Sequence, residues 1–208
     1  MEERLDVPQA CVLAVIAGYA DTVGFLRFDA FAGLMTGNTI LLGISLANAQ
    51  LLRAAIYGAI IAAFLAGVLL ARALLQLGAA QWMALTVAAA LHVACGVLGR
   101  RPAALLLALA MGMQNAAATR FGGVSLNTVF ITGNLQKLGE GLVAWLWHRR
   151  SRAAPPSDGV AIFGLVWLSY AVGAVLGALG DALLTYPLLV PALVLPFVYA
   201  PFPRLLRR

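Results

Sequence analysis

Charged residues are scarce in this sequence, and no long polar stretch separates its apolar runs. Asp, Glu, Lys and Arg make up only 11% of the 208 residues, whereas hydrophobic residues make up 62%. Because a soluble globular domain has about 25% charged residues, this composition excludes an ordinary soluble fold. The apolar runs are about 17–24 residues long, enough for each to cross a hydrocarbon core of roughly 30 Å. The sequence therefore predicts an all-α, polytopic transmembrane helical bundle.

Cysteine and the common catalytic motifs are rare or missing as well. The only two cysteines, Cys11 and Cys95, lie within apolar runs, and neither has a partner at the spacing that a disulfide or a metal site needs. The sequence contains no HExxH, no GxSxG and no Walker loop, so none of the reactions that these motifs support is indicated. We therefore predict a protein that is not an enzyme and that has no metal or cofactor.

About eight apolar segments, corresponding to six to eight helices, follow one another along the chain. Their approximate bounds are 8–26, 31–48, 54–76, 82–99, 103–119, 124–147, 160–180 and 183–201. The net charge of +6 comes mostly from short arginine clusters between the segments, which is typical of cytoplasmic loops and argues against nucleic acid as a partner. The arginine distribution favours eight crossings with both termini in the cytoplasm. The alternative is a six-helix count in which some segments are short or re-entrant.

The two halves of the sequence share one pattern. Thr-Gly-Asn followed after three residues by Leu-Gly occurs at 36–43 and again at 132–139, at an offset of 96. Further matches are Gly18 with Gly112, Asp21 with Asn115, Phe64 with Tyr170, and Gly67 with Gly173. We predict two four-segment repeats, 1–101 and 102–208, within one membrane domain. An even number of crossings in each half would make the repeats parallel, as in some transporters.

Several polar residues lie inside apolar segments. Asp21 is the only acidic residue deep in such a run, and a charge at bilayer depth costs at least ~2.5–3.5 kcal/mol on insertion scales. With eight crossings and a rise of 1.5 Å per residue, polar residues of both halves are predicted to converge in one layer, roughly 8–15 Å below the outer boundary. The candidate substrate-binding or coupling residues are Asp21, Thr36, Gly37, Asn38, Gln114, Asn115, Thr132, Gly133 and Asn134.

The residues around these positions resemble the two signatures of a known family. The first signature is Gly-Tyr-Ala-Asp at 18–21 with Phe31 and Met-Thr-Gly-Asn-Thr at 35–39, and the second is Met-Gly-Met-Gln-Asn-Ala at 111–116 with Thr-Gly-Asn at 132–134. Together they resemble the YoaK-like family of small bacterial membrane proteins, a domain of unknown function, over nearly the whole chain. The resemblance implies an inner-membrane protein with two related halves, and it implies no substrate.

Two functions of different classes are compatible with these features. The first is a secondary transporter or channel-like carrier of a small polar solute or ion, with Asp21 as a coupling carboxylate. The second is a non-catalytic membrane assembly or regulatory protein whose polar residues only clamp helices together. Both place the chain in a lipid bilayer, the bacterial inner membrane, and both are compatible with a homo-oligomer. Elsewhere, Lys137 and Glu140 are three residues apart and are predicted to pair within one helix.

Overall fold

The computed structural model describes residues 7–79, 81–97, 100–118, 120–121, 124–125, 131–151 and 160–199. Its elements, in chain order, are α1 (Val7–Phe28), α2 (Met35–Ala47), α3 (Leu51–Gln76), α4 (Gln81–Val97), α5 (Arg100–Ala117), β1 (Arg120–Phe121), β2 (Val124–Ser125), α6 (Ile131–Ser151), α7 (Val160–Leu183), α8 (Leu189–Val194) and a 3-10 helix (Leu195–Tyr199). The two short strands pair antiparallel. The predicted all-α bundle of about eight segments is confirmed.

The first three helices end at residues with a left-handed backbone. Asp29, Ala49 and Gly78 have φ angles of 59°, 56° and 88°, and they follow α1, α2 and α3 closely. A left-handed residue at this place commonly terminates a helix, because it redirects the chain while the last carbonyls still receive hydrogen bonds. The amides of Asp29 and Leu77 donate such bonds to Phe25 and Ala73. The helix ends are thus set by local backbone chemistry.

Helix length separates the elements into two groups. α1, α3 and α7 have 22, 26 and 24 residues and are apolar enough to cross a membrane. The shorter apolar segments are α2, Pro102–Ala117 of α5, and Leu189–Val198. Crossing a hydrocarbon core of roughly 30 Å takes about 20 residues, so α2, with 13 residues, is too short to cross on its own.

α1 and α5 run in opposite directions. The Gln114 side chain, near the end of α5, donates a hydrogen bond to the carbonyl of Leu13, near the start of α1. Gly24, near the end of α1, instead faces Leu107 in the first half of α5. The prediction of parallel halves requires α1 and α5 to run the same way, and these contacts contradict it.

The most extensive helix contacts join α1 to α7 and α3 to α5. Val15 of α1 lies beside Gly173 of α7, and Arg27, further along α1, forms an ion pair with Asp181, further along α7. α1 and α7 are therefore parallel. Each of these two pairs joins the N-terminal half of the chain to the C-terminal half.

α2 begins inside the bundle and ends at the same end of it as α1. The amides of Gly33 and Leu34, just before α2, bond to the Asp21 carboxylate, about two turns before the end of α1. After α2 a short turn leads into α3, where the Tyr57 hydroxyl donates to the carbonyl of Asp29, just past α1. α2 is therefore re-entrant and returns to the side from which the chain entered.

α6 has the corresponding arrangement at the opposite end of the bundle. Its first residue, Ile131, is buried in one cluster with Leu13 and Met113. Further along, Gly141 packs against Val160 at the start of α7. α6 thus also starts in the interior and ends where the next helix begins. These directions do not fit the predicted eight crossings, and they fit the six-crossing alternative with re-entrant segments.

The buried apolar side chains form two clusters, one toward each end of the bundle. One cluster joins the first half of α1 to the second half of α5 and includes Leu13 and Met113. The other joins the second half of α1 to the first half of α5 and includes Val23 and Leu107. Each cluster therefore contains residues from both halves of the chain.

Glycine gives the helices their closest contacts. A Cβ atom added to Gly67 would collide with the carbonyl of Leu109, and one added to Gly173 would collide with the carbonyl of Val15. Collisions with backbone atoms of the facing helix also occur for Gly18, Gly112 and Gly177. Small residues allow helix backbones to approach closely in lipid, and here they do so along both of the extensive helix pairs.

We expect Gly67→Ala and Gly173→Ala each to lower the free energy of unfolding in detergent by about 1–3 kcal/mol, the usual range for overpacking. Gly58→Ala is the matched control on α3, because an added Cβ there meets nothing within 4 Å. It should leave stability unchanged or raise it by up to about 1 kcal/mol, since alanine favours the helix. Equal effects for all three variants in a denaturant titration would contradict the close contacts.

Candidate functional site

The Asp21 carboxylate lies at the centre of a buried hydrogen-bond network. Its Oδ1 atom accepts bonds from the amides of Gly33, at 2.6 Å, and Leu34, at 3.1 Å. Its Oδ2 atom accepts a bond of 2.6 Å from the hydroxyl of Tyr170 on α7. Asp21 is only 3% exposed. A single carboxylate thus ties together α1, α7 and the segment that precedes α2.

Asn38 and Gly37 shape the same segment from the first turn of α2. The Asn38 side chain accepts a bond of 2.9 Å from the amide of Phe31 and donates one of 2.8 Å to the Phe31 carbonyl. The Phe31 ring lies against Gly37, where a Cβ atom would come within 2.7 Å of it, and it stacks on Phe25 with 4.8 Å between ring centres. The first Thr-Gly-Asn triplet therefore folds residues 29–34 back into the bundle. Thr36, its first member, is exposed.

The hydrogen-bond donors around Asp21 favour its negatively charged form. The N-terminus of a helix carries partial positive charge and unpaired amides, and the Asp21 carboxylate lies at the N-terminus of α2. A backbone amide can only donate, whereas an ionised carboxylate only accepts, so the contacts of Gly33 and Leu34 with Oδ1 are well matched. Neutralising Asp21 would weaken these bonds and the hold on residues 29–34.

An ion pair joins α1 and α7 at the end of the bundle nearest to Asp21. Arg27 contacts the carboxylate of Asp181. The same guanidinium donates to the carbonyls of Thr185, at 3.1 Å, and Leu184, at 3.2 Å. Both charged side chains are partly exposed, so salt and solvent screen the pair. Its role is to fix the end of α7 relative to α1 rather than to add much stability.

The candidate residues of the second half lie at a different level. Gln114 is fully buried and donates to the carbonyl of Leu13 at 3.0 Å. Leu13 precedes Asp21 by eight residues along α1, or roughly 12 Å at helical rise. The single polar layer predicted from the sequence is therefore not what the fold produces. The fold instead places the Asp21 carboxylate toward one end of the bundle and the Gln114 side chain toward the other.

The remaining candidates of the second half differ in exposure. Asn134 is 3% exposed and Asn115 is half-buried, whereas Thr132 and Gly133 are exposed. The Oε1 atom of Gln114 is buried and has no hydrogen-bond partner within the part of the chain that the structure describes. Over those same residues, no group of three or more His, Cys, Asp or Glu side chains is placed to hold a metal ion.

Tyr170 is the residue of this network that the sequence analysis did not include among the candidates. The repeat pattern matches Tyr170 to Phe64 only as a packing position, although the hydroxyl of Tyr170 distinguishes the two residues. In the structure this hydroxyl binds Asp21 across 149 positions of sequence. The signal available in the sequence was the pair of differences between the halves, Asp21 against Asn115 and Tyr170 against Phe64.

The model of a protein family of unknown function, DUF1275, matches residues 9–200. The chain belongs to the DUF1275 family. The UPF0700 transmembrane protein YoaK of Bacillus subtilis (strain 168) is 28% identical over 188 residues, covering 82% of this chain and 81% of that protein. No solved structure matches the chain. Membership of DUF1275 confirms the predicted resemblance to the YoaK-like family. It also confirms the prediction of a transmembrane protein.

We expect Asn38→Leu to lower the free energy of unfolding by about 1–3 kcal/mol, because it leaves the partly buried amide and carbonyl of Phe31 without partners. Asn48→Leu is the control, since the Asn48 side chain bonds Ile44 at an exposed position and exposed substitutions usually change stability by less than about 0.5 kcal/mol. Thermal unfolding of both variants in detergent measures the difference. Similar losses in the two variants would show that Asn38 does not fix residues 29–34.

Proposed function

We propose that this protein is a secondary transporter or channel-like carrier of a small polar solute or ion. The observation that carries the proposal is the re-entrant helix α2, whose N-terminus meets the buried carboxylate of Asp21 inside the bundle. Transporters commonly place their binding and coupling groups at the ends of such discontinuous helices. Non-helical backbone at membrane depth is tolerated only inside protein or beside a water-filled cavity.

We further propose that residues 1–101 and 102–208 are inverted repeats. Support comes from the glycine contacts, because Gly67 meets Leu109 as Gly173 meets Val15. The offset from Gly67 to Gly173 is 106 and that from Val15 to Leu109 is 94, and Gly18 and Asp21 match their counterparts at the same 94. An odd number of crossings in each half makes the halves antiparallel, as in many transporter folds.

Asp21 is the coupling group in this proposal. While it is ionised, it holds residues 29–34 through Gly33 and Leu34, and it holds α7 through Tyr170. A proton or cation that neutralises the carboxylate weakens these bonds at the same time. The segment before α2 and the centre of α7 are then able to separate, which links the charge of Asp21 to opening of the bundle on that side.

The proposed setting is the bacterial inner membrane with both termini in the cytoplasm. The end of the bundle at which α1 begins carries Arg72, Arg120, Arg149 and Arg150, and five more arginines occupy positions 4, 152, 204, 207 and 208 of the adjoining sequence. The opposite end carries Arg27, Arg53, Arg100 and Arg101. The arginines of the described residues divide equally, four at each end, so the support for a cytoplasmic first end comes from the five arginines of the adjoining sequence.

One observation favours the second candidate function, a membrane assembly or regulatory protein. Both oxygens of Asp21 already have internal partners, and Asn38 is fully buried with its own. Such a network is sufficient to clamp helices without any solute. The two functions differ in whether the charge of Asp21, rather than its hydrogen bonds, is needed.

Asp21→Asn tests this difference, because asparagine keeps the acceptor for Gly33 and Leu34 and removes the titratable charge. In proteoliposomes with an internal pH indicator, we expect wild-type protein to move protons when amino acids, carboxylates, sugars or monovalent cations are added in turn. We expect Asp21→Asn to fold normally and to lose proton movement at least about tenfold, in line with loss of an essential charged group.

Asp29→Asn serves as the control, since Asp29 is an exposed carboxylate in the same segment and its loss should leave proton movement intact. If solute movement by the Asp21→Asn variant is unchanged and still depends on pH, Asp21 has no coupling role. If the wild-type protein moves none of these solutes while the Asp21→Asn variant stays stable, the clamp function is favoured.

Labelling of single cysteines tests the proposed topology. In a chain without Cys11 and Cys95, we expect cysteine at Leu77, which is 85% exposed, to react only with reagent added from the cytoplasmic side. Cysteine at Asn48, in the exposed turn after α2, should react only from the periplasmic side. Eight crossings would give the reverse result at both positions.

A further inference from the structure

A single arginine holds the chain that follows α7. The guanidinium of Arg27, in the last turn of α1, contacts the carboxylate of Asp181 and donates to the carbonyls of Leu184, at 3.2 Å, and Thr185, at 3.1 Å. All three side-chain nitrogen atoms of Arg27 therefore bind within residues 181–185. Because a guanidinium has its donors in a fixed fork, these bonds set both the position and the direction of the chain as it leaves α7.

The segment after α7, residues 184–188, turns back into the bundle. Its first three residues are exposed, whereas the last, Leu188, is only 3% exposed. Leu188 belongs to the same buried cluster as Val23, which follows Asp21 by two residues on α1. The segment therefore packs into the apolar surroundings of Asp21, while Arg27 holds its exposed start.

The corresponding positions at the opposite end of the bundle are apolar. By the offsets of the proposed repeats, 94 and 106, Phe121 corresponds to Arg27 and Leu75 corresponds to Asp181. Phe121 is fully buried within the other apolar cluster. One end of the bundle is thus held by charge and hydrogen bonds at these positions, and the other by apolar packing.

The charged residues of α6 do not form a comparable contact within the described chain. Lys137 lies 5.1 Å from the centre of the Phe163 ring of α7, and Glu140 accepts a bond of 2.9 Å from Gln136. The Lys137–Glu140 pair predicted from spacing is therefore wrong. Neither residue joins α6 to another described helix through an ion pair, as Arg27 joins α1 to α7.

The contacts of Arg27 are suited to release. The side chains of Arg27 and Asp181 are 34% and 24% exposed, so water and salt screen their attraction. The bonds to the carbonyls of Leu184 and Thr185 are exposed as well, and water can replace them. The contacts can therefore separate by a local opening while the rest of the bundle stays folded.

We propose that residues 184–188 form a lid over the Asp21 site and that Arg27 is the latch of this lid. When Arg27 releases Asp181 and the two carbonyls, Leu188 leaves the buried cluster, and Asp21 becomes accessible from the end of the bundle at which α1 ends. The proposal rests on the transport function proposed above. It adds the side from which a solute reaches Asp21 and the contact that controls its entry.

Thiol labelling below the lid tests the latch. Val23 is fully buried and lies one turn before Arg27 on the same side of α1. In a chain without Cys11 and Cys95, we expect Val23→Cys to react slowly with a membrane-impermeant thiol reagent. Adding Arg27→Gln should raise the rate at least about tenfold, because the reaction of a buried thiol follows the population of the open form.

Arg53→Gln is the matched control, because it removes one positive charge at the same end of the bundle. Arg53 is exposed, and its guanidinium donates to the side chain of Gln50 at 3.4 Å, so its loss should leave the labelling rate unchanged. Leu188→Ala removes the buried side chain of the lid without changing charge and should also speed labelling. Reagent is added to intact cells and to inverted membrane vesicles, and we expect the increase from one side only.

Three outcomes would overturn the proposal: equal labelling rates with and without Arg27→Gln, an equal increase in Arg53→Gln, or an increase from both sides of the membrane, which reports general loosening of the bundle. Thermal unfolding of the same samples shows whether each variant is folded, and Leu188→Ala provides the test if Arg27→Gln is not. Labelling needs no solute, so a failed transport assay leaves this result unchanged. A lid that stays closed in every variant contradicts the latch and leaves the transport proposal standing.

Discussion

Backbone amides that leave a helix inside a membrane need partners, since lipid supplies none. Residues 29–34 face this constraint directly, because they lie between α1 and a helix that begins within the bundle. Asp21 satisfies the amides of Gly33 and Leu34, and Asn38 satisfies both polar groups of Phe31. The short length of α2, its re-entrant course and the position of α3 all depend on these bonds. The polar residues that first look like a cost at bilayer depth are thus what allows the chain to turn there.

The residues that match this site elsewhere in the chain differ in chemistry. Beside α2 the groups are a carboxylate and a tyrosine hydroxyl, from Asp21 of the first half and Tyr170 of the second, and the matching positions hold Asn115 and Phe64. The second half instead carries the buried Gln114, which crosslinks α5 to α1. The site beside α2 therefore contains an acidic group, whereas the matching positions are neutral. The proposed coupled carrier requires such a difference in charge, whereas a purely structural clamp does not.

Much of the fold could be predicted from the sequence, because hydrophobic runs and helix ends are local properties. The runs that form α1, α3 and α7 are long and uninterrupted. Gly78 lies just after α3, where the backbone is left-handed, a conformation that glycine adopts readily. The number of crossings could not be read in this way. A run such as 31–48 has the composition of a spanning helix, and only the side-chain bonds of Asp21 and Asn38 to residues 31–34 show that its first residues turn back.

The candidate site was predicted in part, for a similar reason. Asp21 and Asn38 were identified by type, since polar residues in apolar runs are rare. Their partners were not, because Gly33 and Leu34 contribute amides that every residue has, and Tyr170 lies far away in sequence. The expected single layer failed once α1 and α5 proved antiparallel, since antiparallel helices carry matching positions to opposite ends.

The long separation between Asp21 and Tyr170 has a consequence for how the protein is made. The two residues are 149 positions apart in the sequence. Because ribosomes add roughly 5–20 residues per second, Tyr170 is synthesised about 7–30 s after Asp21. Throughout that time α1 is inserted without α7, the helix on which its glycine-lined face packs. The first half of the chain therefore has to stay folded in the membrane without this contact until α7 emerges.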